Sequence, residues 1–231
     1  MTLGGLQKLT LIDYPGHIAA TVFTAGCNFR CPFCHNPELV SGIKYDVSSV
    51  LVDDFFKFLN GREGKLEGVC ITGGEPTIQP DIADFIRKIK NLGFKVKLDT
   101  NGTRPDVLRT LFSEKLVDFA AMDIKNTPEK YEKTTNASLD IERIKLSVNL
   151  IQNSGADYEF RTTVVPGLHE ETDFKEIGRW LKGAKKYVLQ EFEDKGKVLN
   201  PGMMRKLKGE KPDLEKIAKK LEKYFEKVEI R

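Results

Sequence analysis

Apolar residues recur along this chain in two alternating rhythms. Short runs suited to strands occur at Leu6–Ile12, Ile18–Phe23, Gly68–Thr72, Lys95–Leu98, Val117–Met122, Tyr158–Val165 and Lys186–Glu191, with a last short run at Lys227–Ile230. Between them lie longer stretches with apolar residues three and four apart. These predict helices over Val47–Leu59, Asp81–Leu92, Pro105–Phe112, Leu139–Ser154, Glu170–Leu181 and Asp213–Phe225. In the second of these, Ile82, Phe85, Ile86 and Ile89 share one face. The punctuation agrees: Tyr14-Pro15-Gly16 and Pro166-Gly167 read as turns, Pro105 suits a first helical turn, and Gly155 follows a helix end.

Strand and helix alternate about six times. That order predicts an α/β fold, with a parallel sheet and helices packed outside it. No Gly-x-Gly-x-x-Gly follows the first strand, so a dinucleotide-binding fold gains no support. In α/β barrels the chemistry sits at the C-terminal ends of the strands, and those positions are therefore the ones to inspect.

Composition narrows the picture little. The 231 residues suit one domain, and 40% hydrophobic content suffices for a core. No apolar run approaches the roughly 20 residues of a membrane span. The opening residues lack a charged segment followed by an apolar one, so a secretory signal is not expected and a cytoplasmic protein is the default. A net charge of +3 gives no nucleic-acid signature. The Lys/Glu-rich C-terminal third reads as solvent-facing helix.

Cysteine changes the picture more. Three of the four cysteines, Cys27, Cys31 and Cys34, fall within eight residues after the strand Ile18–Phe23, and Cys70 stands alone inside a strand, where it reads as core. An odd cluster with a distant singleton is a poor disulfide framework. The spacing CxxxCxxC suits an iron–sulfur cluster with one iron left open, because iron–sulfur clusters take soft thiolates. A zinc site using Cys27, Cys31, Cys34 and His35 is the alternative, although His35 directly follows Cys34 and gives an awkward bite.

The other strand ends carry groups that fit a ligand. Gly73-Gly74-Glu75-Pro76 combines close backbone access with a carboxylate, which suits an amino group; a tight turn is the plain alternative. Asp99 in Asp99-Thr100-Asn101-Gly102 suits a ribose hydroxyl or a cation, against a simple Asn-Gly turn. Asp123 and Lys125 lie two apart and point the same way on an extended segment, either toward a ligand or as a solvated pair. Arg161 and Thr163 are likewise two apart, and an inward-facing Arg161 needs an anionic partner. The last strand of the series ends near Gln190 and Phe192.

Taken together these residues resemble a known family. Gly26-Cys27-Asn28-Phe29-Arg30-Cys31-Pro32-Phe33-Cys34-His35-Asn36-Pro37 resembles the cluster loop of the radical S-adenosylmethionine (SAM) activases of glycyl radical enzymes. Gly73-Gly74-Glu75-Pro76, Asp99-Thr100-Asn101-Gly102, Asp123-Ile124-Lys125 and Arg161 through Gly167 follow in the order of pyruvate formate-lyase activating enzymes. The opening Thr10-Leu11-Ile12-Asp13-Tyr14-Pro15-Gly16 is most similar to the longer form of anaerobic ribonucleoside-triphosphate reductase activating proteins.

The resemblance implies a partial (β/α)6 TIM-like barrel forming a single radical SAM domain over 1–231. Its core would span about 15–195 and a C-terminal helical extension about 196–231. It implies a [4Fe–4S] cluster on Cys27, Cys31 and Cys34, with SAM on the open iron. Gly73, Gly74 and Glu75 would bind the methionine amino group, and Lys125 and Arg161 its carboxylate. Asp99 would meet the ribose, with a possible monovalent cation shared with Thr100 and Asp123. Phe33 would pack on adenine with Asn36 nearby, and Thr163 would complete the site. The implied activity is reductive cleavage of SAM and formation of a glycyl radical on a partner, anaerobic ribonucleotide reductase first and pyruvate formate-lyase as alternative. A flavodoxin or ferredoxin-type protein would donate the electron. A radical SAM enzyme for a small molecule or peptide stays as the outer alternative.

Overall fold

The outer face of the sheet is built from residues that alternate in sequence. Val69 and Ile71, Val96 and Leu98, Ala120 and Met122, and Phe160 are all fully buried under the helices. Period-two alternation sends the residues between them to the opposite, concave face. That face is polar: Thr21, Cys70, Lys97, Asp99, Asp123, Glu159 and Arg161 point into it, linked by side-chain contacts across neighbouring strands.

A computed structural model describes residues 1–40, 50–193 and 196–231. The strands are β1 (Leu3–Thr10), β2 (Ala19–Thr24), β3 (Gly68–Gly73), β4 (Lys95–Thr100), β5 (Phe119–Asp123), β6 (Asp157–Val164), β7 (Lys186–Glu191) and β8 (Lys227–Ile230). The helices are α1 (Val52–Asn60), α2 (Ile82–Asn91), α3 (Pro105–Ser113), α4 (Tyr131–Thr135), α5 (Ile141–Gln152), α6 (Glu171–Trp180), α7 (Pro201–Met204) and α8 (Leu214–Leu221). The eight strands form one sheet in sequence order. β2 through β8 run parallel and β1 runs antiparallel to β2. Among the described residues β1 and β8 do not pair with each other, so the barrel is open.

The alternation expected from sequence is present in β2–β7, and the last short run at Lys227–Ile230 is β8; the first edge and the helical reading of the C-terminal extension differ from expectation. Leu6–Ile12 belongs to a strand that pairs antiparallel, because only the short link 11–18 joins it to β2. Beyond residue 196 the chain is not simply helical: β8 follows α8 and pairs parallel with β7. The helix expected from Val47 is α1, whose first residue is Val52; residues 47–49 lie outside the described residues. Helix starts follow the expected chemistry. The side chain of Asp140 accepts from the amide of Glu142, and that of Asp213 from the amide of Lys216. Among the described residues no helix is long and apolar enough to cross a membrane.

The lower end of the concave face is closed by the turn read at Tyr14-Pro15-Gly16. Tyr14 is buried against His17 and Phe119, and Thr21 Oγ1 donates to Asp13 Oδ2 at 2.6 Å. At the open edge, Arg231 places both terminal nitrogens 2.9 Å from the two oxygens of the fully buried Glu159, and Lys186 joins them at 3.5 Å. A buried carboxylate that loses its main partner retains its desolvation cost. Arg231→Ala is therefore expected to cost about 1–3 kcal/mol in urea unfolding. It should also speed amide exchange at Glu191, which donates to the carbonyl of residue 231; an unchanged midpoint would show that Lys186 suffices.

Candidate functional site

At the upper end, the loop after β2 folds back on the sheet. Gly26 donates to Leu39 O at 2.7 Å, and Cys34 donates to Cys31 O at 3.1 Å. The amide of Phe29 points at Cys27 Sγ, 3.4 Å away, and Arg30 Nη1 donates to the carbonyls of Cys27 and Phe29. Distant segments hold the loop from outside. Arg30 N donates to Thr135 O at the end of α4, and the amides of Leu199 and Asn200 donate to Cys34 O and Pro32 O. Neither α4 nor α7, which Asn200 caps, was expected from the sequence; both are too short to show a helical period.

The end of β3 meets this loop backbone to backbone. Gly74 N donates to Thr24 O at 2.9 Å and Glu75 N to Gly26 O at 2.8 Å. A Cβ on Gly74 would stand 1.9 Å from Gly26 O, and Gly73 has φ +108°. The Gly-Gly pair is thus required for the approach of two main chains as well as for any ligand. Glu75 has a task that the sequence did not reveal. Its Oε1 accepts from Thr77 N (3.0 Å), Thr77 Oγ1 and Thr100 Oγ1 (2.8 Å), and its Oε2 from Asn101 N (2.6 Å). Burial pushes this carboxyl up, against those donors. Asn28 joins the same knot, donating to Thr103 Oγ1 and accepting from Asn101 Nδ2.

One cavity of about 230 Å³ opens between these loops, and every residue expected to form a site lines it. Cys27, Cys31, Cys34, Phe33 and Asn36 come from the first loop; Gly73, Gly74 and Glu75 from β3; Asp99 and Thr100 from β4; Asp123 and Lys125 from β5; Arg161 and Thr163 from β6. His35, the candidate of the zinc alternative, also lines the cavity, and Phe29, Val40, Thr72 and Asn101 complete the wall without having been singled out for it. His35 stacks on Phe192 with centroids 5.3 Å apart.

All three cavity cysteines are free. Burial pushes the Cys27 thiol up to about 11 and the Cys31 thiol up to about 12, and raises Cys34 as well, while the Lys125 ammonium opposes each shift. Empty, these thiols keep their protons at neutral pH, and a metal must displace them. Among the described residues no three His, Cys, Asp or Glu side chains are gathered tightly enough to hold one metal ion. The three thiols instead share the wall of a cavity, an arrangement that fits a soft multi-iron group bound through thiolates.

Below the thiols the concave face carries alternating charge. Arg161 donates through Nε to Asp123 Oδ1 and through Nη2 to Asp99 Oδ2 at 2.9 Å; Lys125 Nζ lies 2.9 Å from Asp123 Oδ2. The anionic partner expected for Arg161 is therefore a pair of carboxylates, and Asp123–Lys125 is not a solvated surface pair. Burial raises the carboxyls of Asp99 and Asp123, but Arg161 outweighs it at both, with Lys97 at the first and Lys125 at the second, and holds both low. Cys70 is buried as expected, yet its thiol faces Lys97 Nζ at 3.7 Å in place of an apolar neighbour. His169 is buried behind Lys125. Its Nδ1 accepts from Val165 N (3.0 Å) and its Nε2 donates to Lys125 O (2.8 Å).

Comparison with known proteins adds four findings. A model of the radical SAM superfamily matches residues 21–181. A candidate glycyl-radical enzyme activating enzyme of Methanocaldococcus jannaschii is 34% identical over 234 residues, covering 99% of this chain and 95% of that protein. The pyruvate formate-lyase 1-activating enzyme of Escherichia coli is 28% identical over 237 residues, covering 94% and 93%. Among solved structures, Streptococcus suis SuiB bound to S-adenosylmethionine has the same fold, with a TM-score of 0.66 at 14% identity over 90% of this chain. This chain spans 48% of the length of SuiB.

Two outcomes follow from the geometry. Gly74→Ala is expected to destabilise the protein by at least about 1–3 kcal/mol and to reduce the iron taken up on anaerobic reconstitution, since backbone must move to admit the methyl group. Burial holds the His169 ring below its ordinary 6.5, outweighing its bonds to the carbonyls of Lys125 and Val165. Below that value the unfolded chain binds the proton first, so this part of the stability is complete above 6.5 and is lost as pH falls through the lower folded pKa. The urea midpoint should therefore fall between about pH 7.5 and pH 5.5. His169→Gln, which keeps one acceptor and one donor, should flatten that slope.

Proposed function

The chain belongs to the radical SAM superfamily, among the glycyl-radical enzyme activating enzymes, and from that premise we propose that it installs a glycyl radical in a partner protein. The observation that carries the proposal is the full-length likeness to activating enzymes combined with a single cavity lined by three free thiols and by all the strand-end groups. Cys27, Cys31 and Cys34 hold the [4Fe–4S] cluster. When bound, the cluster and SAM supply one-electron reduction of a sulfonium and removal of a hydrogen atom from the substrate carbon.

The chain's own residues bind, orient and exclude. Gly73 and Gly74 let a ligand approach the main chain, and Glu75 offers Oε2, on which Asn101 N is the bonded donor among the described residues, to the methionine amino group. Lys125 and Arg161 receive its carboxylate. Asp99 and Thr100 face the ribose side, Phe33 and Asn36 the adenine, and Asp123 and Thr163 fill the floor. No side chain here is asked to act as general acid or base.

The partner proposed is anaerobic ribonucleotide reductase, on the likeness of Thr10–Gly16 to that group of activases. Pyruvate formate-lyase is the second reading, favoured by relatives named for it in Escherichia coli and in Clostridium pasteurianum, the latter 28% identical over 238 residues. A flavodoxin or ferredoxin-type protein is proposed as electron donor.

The test is anaerobic reconstitution followed by electron paramagnetic resonance with each partner. Wild type should hold about four irons per chain, and Cys27→Ala, Cys31→Ala and Cys34→Ala should each lose most of that iron. A glycyl radical signal is expected on the reductase when SAM and reductant are present. A signal on the formate-lyase alone would move the assignment to the second reading. SAM cleavage with no protein radical on either would remove the activase proposal.

A further inference from the structure

The alternating charges on the concave face end at a residue with no place in the scheme above. Lys97 lies on β4 two residues before Asp99, so both side chains point to the concave face. It is 1% exposed. Its ammonium pairs with Asp99 Oδ1, stands 3.7 Å from Cys70 Sγ and sits 5.9 Å from the Phe119 ring centre. The other oxygen of Asp99 takes Arg161 Nη2, and the two oxygens of Asp123 take Arg161 Nε and Lys125 Nζ. Three cations thus alternate with two carboxylates, and each of the four carboxylate oxygens has a cationic donor.

A buried carboxylate is stable only beside a cation. On Asp99 Oδ1 that cation is tethered to the same strand, two residues away. Without it, Oδ1 would face a hole bounded by a thiol and the negative face of an aromatic ring, surroundings that favour a small cation. We infer that Lys97 is a built-in substitute for a diffusible monovalent cation: its ammonium neutralises Asp99, which holds Arg161 toward the cavity, so that SAM binds without K⁺ or Na⁺. Lys97 is a positioning residue, acting through Asp99 and Arg161. The inference rests on the assignment of the cavity to SAM. It also differs from the cation expected beside Asp99, Thr100 and Asp123, because paired ammonium and guanidinium groups already take the carboxylate oxygens.

The experiment measures SAM affinity of the cluster-loaded protein by equilibrium dialysis, at constant ionic strength, in the chlorides of K⁺, Na⁺ and tetramethylammonium, the last too large to enter. Wild type should bind equally in all three, within about twofold. Lys97→Met should bind at least about tenfold more weakly in tetramethylammonium and recover saturably as K⁺ or Na⁺ is added. Lys97→Arg should stay independent of the salt. The inference is overturned by a wild type that needs K⁺ or Na⁺, by Lys97→Met binding normally in tetramethylammonium, or by a loss that no small cation repairs. Should Lys97→Met fail to fold, Lys97→Gln is measured in its place and the same outcomes decide.

A second readout separates this inference from the SAM assignment. In the absence of SAM, K⁺ should raise the melting temperature of Lys97→Met in tetramethylammonium buffer and leave that of wild type unchanged. If wild type binds no SAM in any salt, the cavity assignment fails. The melting comparison then judges Lys97 alone, and equal response of the two proteins to K⁺ rejects its role.

Discussion

Five charged side chains on the inner face of this sheet form one continuous ion chain, and the structure depends on their alternation. Taking unpaired ions out of water is costly, and a buried pair is tolerable only when each charge meets an opposite one in good geometry. Lys97, Asp99, Arg161, Asp123 and Lys125 meet that condition in sequence around β4, β5 and β6. The condition constrains the backbone. Asp123 and Arg161 are direct neighbours in the parallel register of β5 and β6, and Asp99 stands beside Ala121, whose small side chain leaves room for Arg161 to reach across. A slip of one residue in any of the three strands would turn these charges into the helix layer. Register is thus specified twice, by apolar residues outside and by charge inside.

The upper loops depend on that frame in turn. The cysteine loop is not self-supporting. It hangs on Gly74 and Glu75 from β3, on Thr135 after α4, and on the amides of Leu199 and Asn200. Glu75 ties the end of β3 to the end of β4 through Thr100 and Asn101, the residues that immediately follow Asp99. The Glu75 carboxylate, which lines the cavity, therefore also fixes the distance between two of its walls. His169 does the same on the far side, linking the β6 end to the carbonyl of Lys125. Under the proposed function, metal loading, ligand binding and local folding would share atoms here and be coupled for that reason.

How much of this could be read in the chain follows from the range of each signal. Strands β2–β7 and the longer helices carry their period within a dozen residues, and they were legible. The cysteine loop was legible because its three donors are neighbours in sequence. The strand-end groups were legible jointly, since an α/β order already says that strand ends converge. What escaped depends on partners far away. Lys97 on a short strand reads as a solvated lysine until Asp99, Cys70 and Phe119 are seen around it, although its offset of two from Asp99 was a signal of a shared face. Tyr14 reads as part of a turn and closes the floor of the sheet. Arg231 belongs to the Lys/Glu-rich third that reads as solvent-facing and pairs with the buried Glu159, 72 residues distant. The polar inner face itself was hidden, because a strand buried on one side and charged on the other alternates just as a solvated strand does.

The distribution of charge across the cavity also bears on ligand orientation. The β3 wall carries Glu75, a carboxylate that burial makes reluctant to ionise, and an arriving ammonium would relieve that burden. The β5–β6 wall ends the ion chain with one cation in excess, at Lys125, whose field reaches the three thiols. A ligand with an amino group and a carboxylate fits these walls in one sense only. Turned around, it would set ammonium against Lys125 and carboxylate against Glu75, and like charges in a partly desolvated cavity repel strongly. The polarity follows from sheet order, since Glu75 follows β3 while Asp123 and Arg161 belong to β5 and β6 and Lys125 follows β5, with β4 between them. Under the proposed function, ligand orientation would thus be a property of the strand order and not of any single contact.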